Sequence, residues 1–234
     1  VYMSIAFENV TKKYKDICVL DDFSLVLPEK GIICIFGPSG CGKTTLVNIL
    51  AGLVVPDIGR VKGINGKNIS FVFQEDRLIP WITAEQNVSA VVLGKDKINI
   101  ARDMLRSVGL LEFANKKPNE LSGGMCRRVA LARAFAYDSD ILIMDEPLKG
   151  LDQKIKNSII SLIKEKQKDK LIVLITHSIY EALMLSDYIY IVSGVPLKVN
   201  KSMKLRLSFN ERLENKNFIS YYKEKLLKNA YINL

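Results

Sequence analysis

The residues best suited to chemistry run from Gly37 to Thr45 and read GPSGCGKTT. Glycines at 37, 40 and 42 let a backbone wrap an oxyanion without a Cβ in the way, with N–H groups turned inward. Pro38, Ser39 and Cys41 complete the loop, and Thr45 follows it. The spacing G-x-x-x-x-G-K-[ST] places Lys43 to reach β- and γ-phosphates and Thr44 to bind Mg2+. A second stretch, Glu120 to Ala134, reads ELSGGMCRRVALARA. Ser122, Gly123 and Gly124 stand directly before a helical run, which again offers free N–H groups and a positive dipole end. Two phosphate cradles in one chain raise the question of whose phosphate the second one holds.

Carboxylates supply what a phosphate cradle lacks. ILIMDEP, from Ile141 to Pro147, is an apolar strand that ends on Asp145 and Glu146. In an open parallel sheet, ligands bind at the carboxyl ends of strands. Asp145 is expected to hold Mg2+ and Glu146 to polarise the attacking water. Taken alone, the pair could be a solvated acidic turn; beside a phosphate loop it reads as catalytic. His177, the only histidine, closes the strand LIVLITH at the same sheet edge, where a γ-phosphate contact is expected. Gln74 ends SFVFQ in the same way, and its neutral amide can sense Mg2+ and water without adding charge.

These groups need elements to hold them. SIAFENVTKKY alternates and is β-branched, so it predicts a strand; FSLVLPEKGIICIFG predicts strand, turn, strand. KTTLVNILAGL predicts a helix that stops at Gly52. GRVKGINGKNISFVFQ predicts two short strands joined as a hairpin at Asn65-Gly66, then another strand. Helices follow in TAEQNVSAVVLG, NIARDMLRSVGL and RRVALARAFA. Strands resume with ILIMDEP and LIVLITHS around the helix QKIKNSIISLIKEKQ, and YIYIVSG is the last core strand expected. This order predicts an α/β fold with helices on both faces of a mixed sheet and a helical insertion.

The totals exclude several classes. No apolar run approaches the roughly 20 residues a membrane-crossing helix needs, and the first ten residues lack a secretory pattern. Cys18, Cys34, Cys41 and Cys126 show no C-x-x-C spacing and are expected to be free thiols. The net charge is +9. From Lys198 onward nine basic residues face three acidic ones, so +6 of it lies in the tail. The rest is nearly balanced, which argues against a nucleic-acid groove across the body.

Taken together, these residues resemble the nucleotide-binding subunit of ATP-binding cassette (ABC) transporters. The glycine loop, Gln74, LSGG, the acidic strand, the GLD at 150–152 and His177 occur in that family's order, and the resemblance covers essentially the whole chain. It implies a P-loop NTPase core, at 1–75 and 133–195, with a mixed sheet flanked by helices. A helical signature subdomain at 76–132 and a short basic tail at 196–234, packed on the core, complete it. It also answers the opening question. Two subunits meet head to tail, and the LSGG of one caps the ATP in the loop of the other. By that carry-over Ser122 and Gly124 touch the partner's γ-phosphate, Gly123 lies in the same cap and Asp152 links the two sites. Tyr14 takes the place of the aromatic that stacks on adenine. ATP and Mg2+, a second subunit (a homodimer or a paralogue pair), a membrane permease and, indirectly, a solute-binding protein are the implied partners. The implied location is the cytoplasmic face of the membrane. A soluble ABC-type ATPase acting on nucleic acid or the ribosome is the alternative, with only the basic tail in its favour.

QEDRLIPWITAEQNV and the Met125 of LSGGM look like the importer group for nitrate, aliphatic sulfonates, taurine and related organic solutes. The resemblance places the surface of Trp81 against the permease. The chain departs from that group at Cys126 and Arg127, where a basic residue and glutamine are usual. It departs again at Leu148, Lys149 and Gly150, where phenylalanine, glycine and alanine are common. Cys41 sits at a helix N-terminus near Lys43, both of which favour thiolate. Alkylation is therefore expected to inactivate the protein, with Mg-ATP protecting. In the tail, Ile219, Tyr222 and Leu226 share one helical face suited to docking on the core.

Overall fold

The computed structural model describes residues 4–215 and 217–230; the readings above that fall on Val1 to Met3 and on Lys216 lie outside it. In chain order the strands and helices are β1 (Ile5–Tyr14), β2 (Ile17–Leu27), β3 (Gly31–Phe36), α1 (Lys43–Leu50), β4 (Ile58–Lys62) and β5 (Ile69–Val72). Then come α2 (Ala84–Ser89), α3 (Lys97–Ser107), α4 (Gly123–Ala136), β6 (Ile141–Asp145) and α5 (Gln153–Lys166). The chain closes with β7 (Leu171–Thr176), α6 (Ile179–Leu185), β8 (Tyr188–Ser193), β9 (Lys198–Lys204), α7 (Phe209–Glu214) and α8 (Phe218–Ala230). They form two compact units: Val1–Lys67 with Asp169–Leu234, and Asn68–Lys168.

In the first unit, β3 lies between β7 and β8 and is parallel to both, while β9 adds antiparallel at the edge of β8. The sheet is therefore mixed, as expected. Every residue of β7 is buried, as is all of β3 after Gly31. Unbroken apolar runs of this kind suit a parallel sheet covered on both faces. Each fully buried Ile or Leu contributes about 1.5–3 kcal/mol relative to exposure. A separate antiparallel sheet runs β2-β1-β4. The C-terminal α8 packs on α6, β8 and β9 with Phe218 and Leu226 buried. Ile219 and Tyr222 are only half-buried.

In the second unit, β5 and β6 pair in parallel, and α2, α3 and α4 pack on one another. Thr83 caps α2 with a full capping box, its side chain accepting from the Gln86 N–H.

Two expectations need correction. The Asn65-Gly66 hairpin does not form: β4 pairs with β1, and β5 pairs with β6. A turn does exist, closed by the Lys67 N–H donating to the Ile64 carbonyl at 3.1 Å, but only Gly66 has positive φ, at 76°. Tight hairpins need positive φ at the first central residue, so this turn does not send the chain back along itself. The second miss is β9, a further strand beyond the expected last one.

Candidate functional site

The glycine loop begins where β3 ends and stops where α1 begins. A Cβ on Gly37 would lie 2.2 Å from the Val192 carbonyl oxygen, so this position accepts no side chain. Gly40 and Gly42 take φ of 82° and 100°, a region costly for other residues. The Lys43 side chain is buried and folds over the loop, donating to the carbonyls of Gly37 at 3.0 Å and Pro38 at 2.6 Å. Ser39, Gly40 and Thr44 are exposed, and Pro38 and Thr45 are half-buried.

Cys41 departs from expectation. Burial pushes its thiol above the ordinary value of 9.0, against the downward pull of Lys43, whose Nζ lies 3.9 Å from the sulfur. The side chain is 4% exposed, and the cost of burying a thiolate outweighs one nearby cation. Its burial and its raised thiol both run against the thiolate expected from the helix start and Lys43.

Register places His177. Phe36 of β3 is level with Thr176 of β7, so Gly37 and His177 leave the same end of neighbouring strands. The imidazole is exposed, and both flanking residues are braced. The Thr176 hydroxyl donates to buried Glu181 at 2.7 Å, and the Ser178 N–H donates to the Thr176 oxygen at 3.0 Å. Sequence reasoning gave Glu181 no role. The run Ser178-Ile-Tyr-Glu181 carries a capping-box signature, but here the carboxylate turns to Thr176. Tyr14, at the end of β1, is 45% exposed and has the Lys12 ammonium 5.5 Å from its ring centroid.

The second unit carries the other groups. Val72 is level with Met144, so Phe73-Gln74 and Asp145-Glu146 continue from the same end of paired strands. Gln74 lies two residues past the end of β5 rather than on it. Asp145 ends β6 and is 2% exposed. Glu146 adopts φ of 51°, a left-handed conformation that costs a non-glycine residue about 1 kcal/mol or more. Leu148, one of the departures, is fully buried, while Lys149 and Gly150 are exposed. Ser122 caps α4 by accepting from the Met125 N–H at 3.3 Å, and a Cβ on Gly123 would meet only open space. One on Gly124 would touch the Leu151 Cδ2 at 3.5 Å. Asp152 caps α5 by accepting from the Ile155 N–H at 3.0 Å. Trp81 is 74% exposed, so it does not fill a core. Nearby, an open cleft of about 530 Å3 is lined by Phe71, Phe73, Ile79, Val91, Leu93 and Tyr137.

The donors assigned to Mg2+ are oxygens only: the Thr44 hydroxyl, the Asp145 carboxylate and the Gln74 amide. Among the described residues no cluster of three or more His, Cys, Asp or Glu forms an all-protein metal cage. Each of those oxygens is a hard donor of the kind Mg2+ takes.

A glycine loop opening a helix and an acidic strand end, in an α/β fold, define a P-loop nucleotide-binding protein. Residues 20–149 match the family model for ABC transporters. A taurine import ATP-binding protein of Pseudomonas aeruginosa is 39% identical over 86% of this chain and 80% of its own length. An aliphatic sulfonates import ATP-binding protein of Bacillus cereus is 33% identical over 98% of this chain and 97% of its own. A solved dimeric ATP-binding cassette, in a post-hydrolysis state bound to ADP and Pi, superposes with a TM-score of 0.78 at 34% identity, covering 87% of this chain and 100% of that one. The chain belongs to the ABC transporter family.

Proposed function

We propose that this chain is the ATP-hydrolysing, energy-coupling subunit of an importer for a small sulfonate-class solute such as taurine, or a related organic compound or nitrate. The observation that carries the reading is the way functional groups leave common strand ends: Gly37 with His177, and Gln74 with Glu146. The named relatives, both import ATP-binding proteins, support it over an ATPase acting on nucleic acid.

In this reading the loop N–H groups and the start of α1 hold the phosphates, and Lys43 neutralises the β- and γ-oxygens. Tyr14 stacks on the adenine. Thr44, Asp145 and Gln74 would hold Mg2+, which would supply positive charge to offset that of the phosphates. Glu146 orients the attacking water and accepts its proton, and His177 donates to the γ-phosphate. Ser122, Gly123 and Gly124 of a second copy cap that phosphate, and Asp152 links the two sites. Binding closes the dimer and hydrolysis reopens it. The motion passes to a separate permease at the cytoplasmic face through the surface that carries Trp81. Among the described residues no helix is long and apolar enough to cross a membrane. Solute choice belongs to the permease and to a solute-binding protein.

The test is ATPase activity against protein concentration, with Glu146→Gln beside the unmodified chain. Activity per subunit is expected to rise with concentration. The variant is expected to lose about 10²–10⁴-fold in turnover and to elute as a dimer in Mg-ATP. Activity independent of concentration, with no trapped dimer at saturating ATP, overturns the shared-site reading.

A further inference from the structure

We propose that Arg127 is a positioning residue for the Gln74 loop, fixing its main chain from the helix whose first turn carries Ser122. The inference rests on the reading of Gln74 as a Mg2+ and water group. Arg127 is the position where the resembled importers usually carry glutamine, and the structure gives its guanidinium three separate partners. The side chain is 7% exposed. Nη1 donates to the Phe73 carbonyl at 2.7 Å, Nη2 donates to the Gln74 carbonyl, and Nε pairs with the Asp76 carboxylate at 3.0 Å.

The same helix grips the loop a second time. Arg133 donates to the carbonyls of Asp76 at 3.1 Å and Arg77 at 2.9 Å. Four carbonyls of residues 73–77 are thus taken by two α4 arginines. The loop between them is contorted: Arg77 has φ of 45°, and its guanidinium lies 3.9 Å from the Phe73 ring centroid. Such a segment holds one conformation only while its surroundings over-determine it.

Neither glutamine nor lysine can replace the guanidinium here. Glutamine has two amide donors and no charge for Asp76. Lysine keeps the charge but is a point donor without the planar fork. Asp76 sets its carboxylate against that charge, with the Arg127 Nε 3.0 Å away. Arg127 therefore does two things at once: it holds the carbonyl of Gln74, and it neutralises a carboxylate two residues further on. Placement matters because an error of about 1 Å in a positioning group can cost on the order of a hundredfold in rate.

The experiment uses the full chain, with Arg127→Gln, Arg127→Lys, Gln74→Ala and the Arg127→Gln/Gln74→Ala double variant. Two readouts are taken: ATPase rates over a matrix of ATP and free Mg2+, and deuterium exchange of peptides covering 73–82 and 123–136. Arg127→Gln is expected to lower kcat about ten- to hundredfold with KM for ATP within about twofold, because the nucleotide loop is untouched. The double variant is expected to be no slower than Gln74→Ala alone. Exchange is expected to quicken in 73–82 and to stay unchanged in 123–136. Losses that multiply in the double variant, or unchanged exchange in 73–82, overturn the proposal. If Gln74→Ala leaves kcat and the Mg2+ requirement intact, the reading of Gln74 fails. Exchange in 73–82 then decides the Arg127 inference by itself. Should Arg127→Gln not fold, Arg127→Lys carries both readouts, since it keeps a cation opposite Asp76.

Discussion

Cys41 shows how two local influences on one atom are ranked. The helix start and Lys43 both favour thiolate, yet a side chain only 4% exposed cannot ionise cheaply, and burial wins. The folded thiol keeps its proton to higher pH than an unfolded cysteine. Its titration therefore removes stability as pH climbs past about 9 and has no effect near neutrality. Cys41 is expected to react with iodoacetamide at pH 7.5 more slowly than cysteine in an unfolded peptide, and faster as the pH passes 9. Site-resolved mass spectrometry checks this, and labelling at or above the peptide rate at pH 7.5 would falsify it. The glycine loop was legible from sequence because its chemistry is main-chain geometry within nine residues. The thiol's environment was not, since burial is made by residues distant in the chain. Arg127 is the same case: its partners at Phe73, Gln74 and Asp76 lie some fifty residues upstream.

At the scale of elements, apolar periodicity located most of the helices, while α7 and the strand β9 went unread because tertiary context decided them. In β9, KVNKSMK, only Val199 and Met203 are partly covered, and the three lysines point to a solvated segment. Lysine on an exposed edge is a common guard against further pairing, so the charges that hid this strand from sequence reasoning belong to its role. The same tail holds a buried cation. Arg212 of α7 is 3% exposed and donates to the carbonyls of Leu183 at 3.0 Å, Ser186 at 2.7 Å and Leu207 at 2.7 Å. The first two belong to the end of α6 and the residue just past it, so a tail side chain caps the helix that begins two residues after His177. Arg212→Met removes the cap and leaves those carbonyls short of a donor, at a cost of about 2–4 kcal/mol. Urea denaturation at pH 7 measures it, and a loss under about 0.5 kcal/mol means that the cap is dispensable.

Across the whole molecule, the proposed coupling to a permease is a surface property. Trp81 is 74% exposed and touches no core, so Trp81→Ala is expected to change folding stability by less than about 0.5 kcal/mol. It is also expected to leave ATPase activity of the separate chain intact while weakening recovery with detergent-solubilised permease. Undiminished co-purification assigns the docking surface elsewhere. The family was legible in the sequence through motifs spread from Gly37 to His177, and the importer reading through the stretch Gln74 to Val88 and Met125. The division into units was not, because it depends on which strands find each other, and Asn65-Gly66 pointed to the wrong pairing.

The pairing of β3 has a consequence for synthesis. Both of its neighbours lie late in the chain: Gly31 is level with Leu171, and Ile33 with Tyr188. A ribosome adding about 5–20 residues per second needs on the order of ten seconds to make what lies between. For that time IICIF, four of whose five residues are aliphatic or aromatic hydrocarbons, has emerged without either strand that will cover it. The interval is a period of exposure built into the order of the chain.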